Sequence, residues 1–431
     1  MTASNFSIPY FTLPALMGDF WDVLLSFVFL YPAVMSCLWM LGSLFFFFRY
    51  EREPHRIVDQ PPERKFYPDV AVLVPCFNEE DNVEDTVMTL MKLNYPNYEI
   101  IAINDGSTDN TGAILNALTA QFPRLRVIHN KQNQGKAVGL NTAALLTHAP
   151  ILVGIDGDAR LDPFCLHWLV RHFDDAQVAA VTGNPRVRTR STLLGRIQVG
   201  EFSSIIGLIK RAQRSYNLLF TVSGVIAAFR RSALFEVGFW SPDKLTEDVD
   251  ITWKLQLAGW EIRFEPRALC WILMPETIRG LWGQRLRWAT GGAQVILDYW
   301  STLWRQPRMW VLLAEYAISL AWAACMALLV TYRLADLIFY KMDLESVPIV
   351  MLGWTGMILG TIFLLQTLLS LCLDSPYDHH LLKNYFWMIW YPIIYWLLTA
   401  STAIAAIPLA LFRKTGRRAT WISPDRGINP N

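Results

Sequence analysis

The chain contains the run Ile151-Leu152-Val153-Gly154-Ile155-Asp156-Gly157-Asp158, in which a charge-free segment leads directly into two carboxylates. A short apolar run that ends at turn residues is typical of a buried strand in a parallel sheet. Sheets of this kind bind ligands at the carboxyl ends of their strands. We therefore predict a strand over residues 151–155 whose end carries Asp156 and Asp158 into a ligand site.

The residues before this run repeat the same alternation of strand and helix. Strands that alternate with helices of about 10 to 15 residues indicate an α/β domain with a doubly wound parallel sheet. In such a sheet, the polar residues that follow the strands meet at one edge. The further predicted strands cover residues 70–74, 98–103 and 125–128, and the predicted helices cover residues 82–93, 112–121 and 136–147.

The composition is too apolar for an ordinary soluble enzyme, since 53% of the residues are hydrophobic and 17% are charged. Residues 23–48, 347–373 and 385–412 contain no charged residue, and about 20 apolar residues suffice to cross a bilayer. Residues 311–332 form a weaker apolar segment that contains Glu315. These segments predict an integral protein of a lipid bilayer. The net charge of +1 gives no electrostatic reason to expect nucleic-acid binding.

The apolar segments divide the chain into a soluble domain and its membrane parts. The soluble domain carries most of the charge and all the predicted strands. We predict an N-terminal membrane anchor over residues 1–50 (crossing at about 23–48), the soluble domain over 51–280, an amphipathic interface helix region over 281–310, a C-terminal transmembrane region over 311–412 (crossings at about 311–332, 347–373 and 385–412) and a basic tail over 413–431.

Basic residues follow both the first and the last apolar segments, at Arg49 and Arg52 and at Arg413 and Lys414. The positive-inside rule therefore predicts that the soluble domain and the tail are both cytoplasmic. Three C-terminal crossings would leave the tail on the opposite side of the membrane. Either one of these segments does not cross fully, or the tail is an exception to the rule.

The carboxylates of Asp156 and Asp158 suit a divalent cation, Mg²⁺ or Mn²⁺, that bridges a diphosphate. Such hard cations prefer oxygen ligands, and the cation offsets the charge that builds on a leaving phosphate. Many Asp-x-Asp pairs only occupy surface turns, but this pair follows a predicted buried strand. Lys136, at the start of a predicted helix, could add a second cation near the phosphates or be a solvated lysine.

Other polar residues follow the first two predicted strands. Pro75, Asn78 and Glu79 come after the first strand, and Asp105 comes after the second. Asp105 could have a purely structural role, as part of an Asp-Gly turn that leads into the next helix, or it could contact the ligand. Both interpretations are compatible, because neighbouring residues can cap the helix while Asp105 faces the ligand.

Two later motifs are an acidic pair and a helix that combines basic and aromatic residues. Glu247 and Asp248 begin a predicted helix, where a carboxylate serves either as a cap or as a catalytic base. Gln284, Arg287 and Trp288 share one face of an amphipathic helix, at spacings of three and four. Glutamine and arginine suit hydroxyls and phosphate oxygens, and tryptophan suits stacking on a sugar ring. The alternative is a helix that only anchors the domain at the membrane surface.

Taken in order between membrane anchors, these motifs resemble those of the membrane-embedded, processive family 2 glycosyltransferases, which include cellulose, chitin and hyaluronan synthases. The resemblance covers residues 68–288 and the flanking membrane segments. It implies a nucleotide-sugar-binding α/β domain of the GT-A type, inserted between N-terminal and C-terminal transmembrane helices. It also implies a reaction that inverts the anomeric carbon of the donor sugar.

The resemblance implies a role for each candidate residue. Asp105 corresponds to the aspartate that contacts the uridine. Asp156 and Asp158 correspond to the pair that holds the metal and the diphosphate, and Asp248 corresponds to the general base. The other candidates at the nucleotide sugar are Pro75, Asn78, Glu79 and Lys136, and those at the acceptor and diphosphate are Ser223, Gly224, Glu247, Gln284, Arg287 and Trp288.

Within this family, residues 181–186, 221–231, 273–288 and 423–427 resemble the branch that makes a β-1,6-linked biofilm polymer of N-acetylglucosamine. That resemblance implies UDP-N-acetylglucosamine as donor, a growing polysaccharide as acceptor and export across the bacterial inner (cell) membrane. It also implies a small membrane accessory subunit and activation by cyclic di-GMP through that subunit, although the sequence contains no recognisable cyclic di-GMP domain. That branch has two N-terminal crossings, whereas residues 1–22 here predict at most an interfacial helix.

Two other functions are compatible with the sequence. One is a non-processive membrane glycosyltransferase that adds a single sugar to a lipid carrier and shares Asp105, Asp156 and Asp158. The other is a membrane scaffold whose nucleotide site serves only for sensing. The Gln-x-x-Arg-Trp motif and the C-terminal apolar segments favour the processive enzyme. Linkage position and donor sugar rest on the resemblance alone.

Overall fold

An eight-stranded mixed sheet lies between the apolar ends of the chain. The structure, a computed structural model, describes residues 13–52, 58–339, 354–413 and 418–420. The strands are β1 (Val70–Cys76), β2 (Tyr98–Asp105), β3 (Leu125–Asn130), β4 (Ile151–Ile155), β5 (Arg160–Leu161), β6 (Val178–Val187), β7 (Ile226–Arg230) and β8 (Glu261–Ile272). They lie side by side in the order β3-β2-β1-β4-β7-β6-β8-β5.

The helices fall into a soluble group around the sheet and an apolar group near the two termini. The first apolar helix is α1 (Leu13–Phe46). The soluble group is α2 (Val83–Leu90), α3 (Thr111–Gln121), α4 (Lys136–Leu146), α5 (Cys165–Val170), α6 (Leu193–Glu201), α7 (Leu208–Arg214), α8 (Arg231–Glu236) and α9 (Glu247–Leu257). After β8 come α10 (Ile278–Leu303), α11 (Trp310–Phe339), α12 (Trp354–Asp374) and α13 (Leu397–Leu411).

The apolar run of β1 is buried on both faces of the sheet. Val70, Val72 and Val74 belong to a core cluster that also contains side chains of α2, α3 and α5. Ala71 and Leu73 point the other way, into a cluster with side chains of α4, α8 and α9. Because both faces are covered by helices, the strand is apolar at every position rather than at every second one.

The first half of the sheet agrees with the sequence. β1 pairs in parallel with β2 and β4, and β2 pairs in parallel with β3. The predicted α/β architecture and the six preceding strands and helices are confirmed, with small differences at their ends. β2, predicted over residues 98–103, continues to Asp105, so the aspartate belongs to the strand rather than to the loop after it.

The parallel pairing of the predicted strands does not continue into the second half of the sheet. β7 runs antiparallel to both of its neighbours, β4 and β6, and β5 runs antiparallel to β8. β6 and β8 are parallel to each other. Hydrophobic periodicity carries no direction, so residues 226–230 have the same pattern in either orientation. The Ser223–Gly224 turn leads into β7.

By length and composition, three helices among the described residues could cross a membrane, over Phe20–Glu51, Pro307–Tyr332 and Gly356–Asp374. The last predicted crossing, residues 385–412, is helical but not regular. A 3₁₀ segment, Leu381–Trp390, is followed by a short π segment that continues into α13.

Several predictions for the membrane parts fall partly on residues outside the described ranges. These residues are 1–12 of the predicted interfacial helix, 347–353 of a predicted crossing, and 414–417 and 421–431 of the tail, including the family-like stretch 423–427. The described part of residues 1–22 belongs to α1, which begins at Leu13 and continues without a break through the first predicted crossing.

A buried network of charges joins the domain to the ends of two apolar helices. Arg211 in α7 pairs with Glu51, just after α1, and with Asp374 at the end of α12. Arg186 in β6 also pairs with Asp374, at 2.7 Å, and Tyr377 donates to Glu51. The positive charges of two guanidinium groups therefore balance the negative charges of two carboxylates in a region from which water is excluded. Removal of one buried partner is strongly destabilising, so this network fixes the domain against both helices.

The predicted interface helix corresponds to α10, which ends at Leu303. One of its arginines is buried against the soluble domain. Arg285 forms a 2.7 Å ion pair with Glu201 of α6, and both side chains are largely buried. Its guanidinium group also lies over the Trp288 ring, 4.3 Å from the centroid. This face of α10 therefore packs on protein.

Candidate active site

Two aspartates follow β4 at the edge of the sheet where β1 also ends. Asp156 is partly exposed, whereas Asp158 is buried, with 2% of its surface exposed. Between them, Gly157 lies against the end of β1, and a Cβ atom there would be 3.2 Å from the carbonyl oxygen of Pro75. A larger residue would push the loop outward, so the glycine lets both aspartates stay close to the strand ends.

Lys136, the first residue of α4, links the end of β4 to two other parts of the domain. Its Nζ atom donates to Asp156 Oδ1 at 2.5 Å and to the carbonyl oxygen of Gly224 at 2.9 Å. It also lies 3.2 Å from Glu247 Oε1. These contacts match the three donors of an ammonium group. Lys136 is therefore part of the cluster, and the interpretation as a solvated lysine is wrong.

The charges of this cluster set its protonation. Burial alone would lower the pKa of Lys136, but the carboxylates of Asp156 and Glu247 together hold it above its ordinary value. Burial raises the pKa of Asp248 to about 6, and the adjacent charge of Glu247 adds to the shift, while Lys136 and Arg287 oppose it. A carboxyl group with a pKa near neutrality is well matched to proton transfer.

Asp248 lies in the first turn of α9, and backbone amides hold both of its oxygens. Oδ2 accepts a hydrogen bond from Gly224 N at 3.2 Å, and Oδ1 accepts one from Val249 N at 2.9 Å. The Ser223–Gly224 turn is held from its other side, because the amide of Ser223 donates to Thr182 Oγ1 at 2.8 Å. The predicted base and the predicted acceptor loop are thus in direct contact.

Asp105 is wholly buried at the end of β2. It accepts hydrogen bonds from the Asn130 side chain at 2.8 Å and from the backbone amides of Gln134 and Gly135, at 3.1 and 2.8 Å. Gly135 has a φ of 92°, which favours glycine. Asp105 therefore organises the loop that leads into Lys136, and its contact with uridine stays a prediction.

The turn after β1 packs on the loop after β2. Asn78, with a φ of 53°, accepts a hydrogen bond at Oδ1 from Thr108 N at 2.9 Å, and its own amide donates to Ser107 Oγ at 3.1 Å. Glu79 is buried in the same turn, and Pro75 is buried within β1. Asn78 therefore joins two strand-end loops, and the predicted sugar-nucleotide contacts of all three residues stay predictions.

Arg287 of the Gln-x-x-Arg-Trp motif of α10 reaches the same site. It donates to the carbonyl oxygen of Leu245 at 3.4 Å, and its charge acts on Asp248. Trp288 packs, partly buried, on the core cluster that contains β1. Among the described residues, Gln284 Oε1 is buried without a hydrogen-bond partner. The contacts of these three residues with acceptor and diphosphate stay predictions.

The carboxylates of Asp156 and Asp158 fit a metal that is shared with a substrate. In the described ranges, no group of three or more His, Cys, Asp or Glu side chains converges as a metal site would require. Mg²⁺ is usually held by one or two carboxylates, and waters and substrate phosphates complete its coordination. Two aspartates on one loop meet that description, and they do not suffice for an all-protein site.

Comparisons with known proteins agree with this geometry. The sequence model of the family described as glycosyltransferase like family 2 matches residues 68–291. The chain belongs to glycosyltransferase family 2. Two relatives of this family 2 enzyme, both named poly-β-1,6-N-acetyl-D-glucosamine synthase, come from Staphylococcus epidermidis and Staphylococcus aureus strain MSSA476. They are 37% and 36% identical over 410 and 407 residues, which cover 93% of this chain and 98% of each relative.

A solved structure shares the fold of this family 2 enzyme. It is the mannosyltransferase PcManGT from Pyrobaculum calidifontis in complex with GDP-Man and Mn²⁺, with a TM-score of 0.60 and 21% sequence identity. The match covers 88% of this chain and 98% of that one. At this identity the likeness concerns the fold alone. The predicted GT-A type fold, with apolar helices near both termini, is confirmed.

Two residues beside Asp248 were not predicted from the sequence. Thr182 in β6 and Lys210 in α7 both contact the Ser223–Gly224 turn. Thr182 resembles any other strand residue in its sequence context. Lys210 follows the apolar stretch 205–209, and a basic residue at the end of such a stretch was the available signal.

Proposed function

We propose that this enzyme polymerises N-acetylglucosamine from UDP-N-acetylglucosamine into a β-1,6-linked biofilm exopolysaccharide, processively and with inversion at the anomeric carbon. The observation that carries the proposal is the cluster in which Lys136 joins Asp156 to Glu247, next to Asp248. It brings a carboxylate suited to a metal-bound diphosphate together with a carboxylate suited to a base. The names of relatives that match nearly the whole chain support the choice of sugar and linkage.

The proposed transfer uses Asp248 as the base. Asp248 takes the proton from the 6-hydroxyl of the acceptor sugar, and the acceptor oxygen forms a bond to the anomeric carbon of the donor. The bond between that carbon and the diphosphate oxygen breaks, and UDP leaves with the electron pair. Attack opposite the leaving group converts the α-linked donor into a β-linked product. The raised pKa of Asp248 suits this proton transfer near neutral pH.

Cations at the donor side compensate the charge of the leaving diphosphate. Mg²⁺ or Mn²⁺ held by Asp156 and Asp158 would act as a Lewis acid on the diphosphate. The Mn²⁺ in the PcManGT complex, a protein of the same fold, supports a divalent requirement. Lys136 and Arg287 supply fixed positive charge near the same oxygens, and electrostatic stabilisation of this kind is usually a large part of catalysis.

The proposed location is the bacterial inner (cell) membrane, with several crossings and a cytoplasmic catalytic domain. Apolar side chains on the three long apolar helices are exposed, among them Leu41, Ile318 and Leu365. Extended apolar surface of this kind suits contact with lipid rather than with water. Arg49 and Arg52 follow the first helix and support a cytoplasmic domain.

Contacts at both ends of the last apolar segment support three crossings rather than four. Asp378, just before this segment, pairs with Arg190 of the domain. Arg413, at its end, donates to the carbonyl oxygen of Asp243 in the same domain. A segment that leaves the domain and returns to it does not cross the bilayer. With α1, α11 and α12 as the crossings, the basic tail is cytoplasmic and the conflict with the positive-inside rule disappears.

The proposal includes coupling of synthesis to export across the membrane, on the resemblance given above. The proposal also includes a small membrane accessory subunit and cyclic di-GMP activation through it, on the resemblance given above.

The test is the product made by the purified full-length protein from labelled UDP-N-acetylglucosamine and Mg²⁺ or Mn²⁺. The proposal predicts polymer of many sugars with β-1,6 linkages, identified by size separation and linkage analysis. A lipid-linked product with one sugar would contradict processive synthesis, and UDP release without any transfer would contradict the synthase function. Linkages other than β-1,6 would overturn the assigned polymer while leaving the reaction class intact.

A further inference from the structure

Lys210 lies in α7 with its ammonium group beneath the Ser223–Gly224 turn, and the transfer described above gives it no role. Its Nζ atom donates to Ser223 Oγ at 2.5 Å and contacts Thr182 Oγ1 at 3.4 Å. Only 6% of the residue is exposed. Burial of an ammonium group against neutral hydroxyls costs free energy, so a hydrophobic residue of this length would serve a purely structural purpose better.

The directions of these hydrogen bonds leave one donor unused. An ammonium group only donates, so Ser223 Oγ accepts the bond from Lys210. The backbone amide of Ser223 donates to Thr182 Oγ1, which leaves the hydroxyl hydrogen of Ser223 for a group outside this network. Ser223 is partly exposed, and the next residue, Gly224, donates to Asp248. Ser223 therefore lies next to the residue that contacts the proposed base, and its hydroxyl hydrogen is available to a ligand.

We propose that Lys210 is a positioning residue for the acceptor, which orients the Ser223 hydroxyl to donate to an oxygen of the terminal acceptor sugar. It also holds the Ser223–Gly224 turn against Asp248. This inference rests on the proposed function and deepens it, because it assigns Lys210 to the acceptor side of that reaction. Lys136 binds the carbonyl of the same turn but pairs with Asp156 on the donor side.

Neither neighbouring arginine of α7 replaces Lys210 at Ser223. Arg211 and Arg214 pair with carboxylates elsewhere. Burial lowers the pKa of Lys210 to about 7, and the negative charge of Asp248 opposes that shift. Lys210 thus holds the Ser223 hydroxyl, while Lys136 holds the Gly224 carbonyl of the same turn.

The test measures Michaelis constants of the purified full-length enzyme for UDP-N-acetylglucosamine and for a short β-1,6-linked N-acetylglucosamine oligomer as acceptor probe. Lys210→Met keeps the length of the side chain and removes the charge. We expect the KM for the oligomer to rise by about tenfold and the KM for the donor to change by less than about twofold. Lys210→Arg should recover part of the loss, because it retains a cationic donor.

Ser223→Ala provides the second arm of the test. It removes the hydroxyl that makes the proposed contact and leaves the side chain of Lys210 in place. Lys210 and Ser223 act through one hydrogen bond, so the double variant should be no worse than the more damaged single variant. Lys92→Met is the control: this exposed lysine follows α2, and its loss should leave both Michaelis constants unchanged.

The outcomes separate this inference from the proposed function. A wild type that fails to extend the oligomer would overturn both. A wild type that extends it, with Lys210→Met showing the same KM for the oligomer or an equal rise in both constants, would overturn only the role of Lys210. Should Lys210→Met fail to fold, an unchanged acceptor KM in Ser223→Ala would overturn the inference equally.

Discussion

The parallel half of the sheet, β1 to β4, presents Asp105 and Asp156 directly at strand ends, whereas the half that contains β7 presents the Ser223–Gly224 turn. In the proposed reaction, the first half serves the donor and the second serves the acceptor. The donor half depends mostly on strand order, because parallel strands deliver their ends to one edge. The acceptor half depends on contacts between distant segments, such as the bond from Gly224 to Asp248.

Two lysines of the site, Lys136 and Lys210, show the same difference at the level of single groups. Lys136 lies among carboxylates, which raise its pKa although burial opposes them. Lys210 lies among hydroxyls, and burial lowers its pKa to about 7. Both contact the Ser223–Gly224 turn. The comparison shows that the carboxylates around a buried ammonium, and not its depth alone, determine whether it remains charged.

Among the variants that test this comparison, the largest fall in rate is expected when the base that acts on the acceptor is removed. Asp248→Asn keeps the shape of the side chain but cannot accept a proton, so kcat should fall by about 10³-fold. Initial rates of polymer formation measure the effect. Asp298→Asn, which disturbs only an exposed pair with Lys244, is the control and should keep the wild-type rate. A rate within about tenfold of wild type in Asp248→Asn would show that another group is the base.

The next effect concerns the metal carboxylate on the donor side. Asp156→Asn removes one of two oxygen anions that would hold Mg²⁺ or Mn²⁺, and kcat/KM for the donor should fall by about 10²-fold. The metal concentration for half-maximal rate should rise in the same assay, because the site has lost charge. An unchanged metal requirement would contradict the assignment of Asp156 to the metal.

A smaller effect is expected when the donor-side lysine loses its charge. Lys136→Met removes a fixed cation near the diphosphate, so the donor KM should rise by about tenfold. The acceptor KM should change less, because Lys136 reaches the acceptor side only through the Gly224 carbonyl. Steady-state kinetics with the donor and an acceptor oligomer measure both constants. If the acceptor KM rose more than the donor KM, the assignment of Lys136 to the donor side would be contradicted.

The smallest effect is the pH dependence of the wild type. Asp248 works in its unprotonated form and its pKa is raised to about 6, so kcat should increase as the pH rises through this value and reach about half its plateau there. Lys136 opposes this pKa shift. In Lys136→Met the acidic limb should therefore move to higher pH, and a shift to lower pH would contradict the proposed electrostatic link.

The donor half was predictable from the sequence because its information is local. The apolar run 151–155 leads into Asp156, and the order of strands and helices gives the edge at which that residue lies. The direction of β7 was not predictable, since an apolar pattern is the same in both orientations. Lys210 was missed for a related reason: its partners Thr182 and Ser223 approach it only in the folded chain.

The membrane half shows a similar limit. Absence of charge over residues 385–412 predicted a crossing, but hydropathy does not show that Pro392 begins a short π segment or that the regular helix has only 15 residues. The contacts of Asp378 and Arg413 with the domain, just before and just after this region, come from tertiary structure. Sequence composition therefore predicted apolar segments correctly without fixing the number of crossings.

Binding of UDP-N-acetylglucosamine in the presence of Mn²⁺ tests the division between donor and acceptor sides most directly. The dissociation constant is measured for the purified wild type, Asp248→Asn and Asp156→Asn. We predict that Asp248→Asn binds the donor within about twofold of wild type, whereas Asp156→Asn binds it at least about tenfold more weakly. Equal loss of donor binding in both variants would contradict the account.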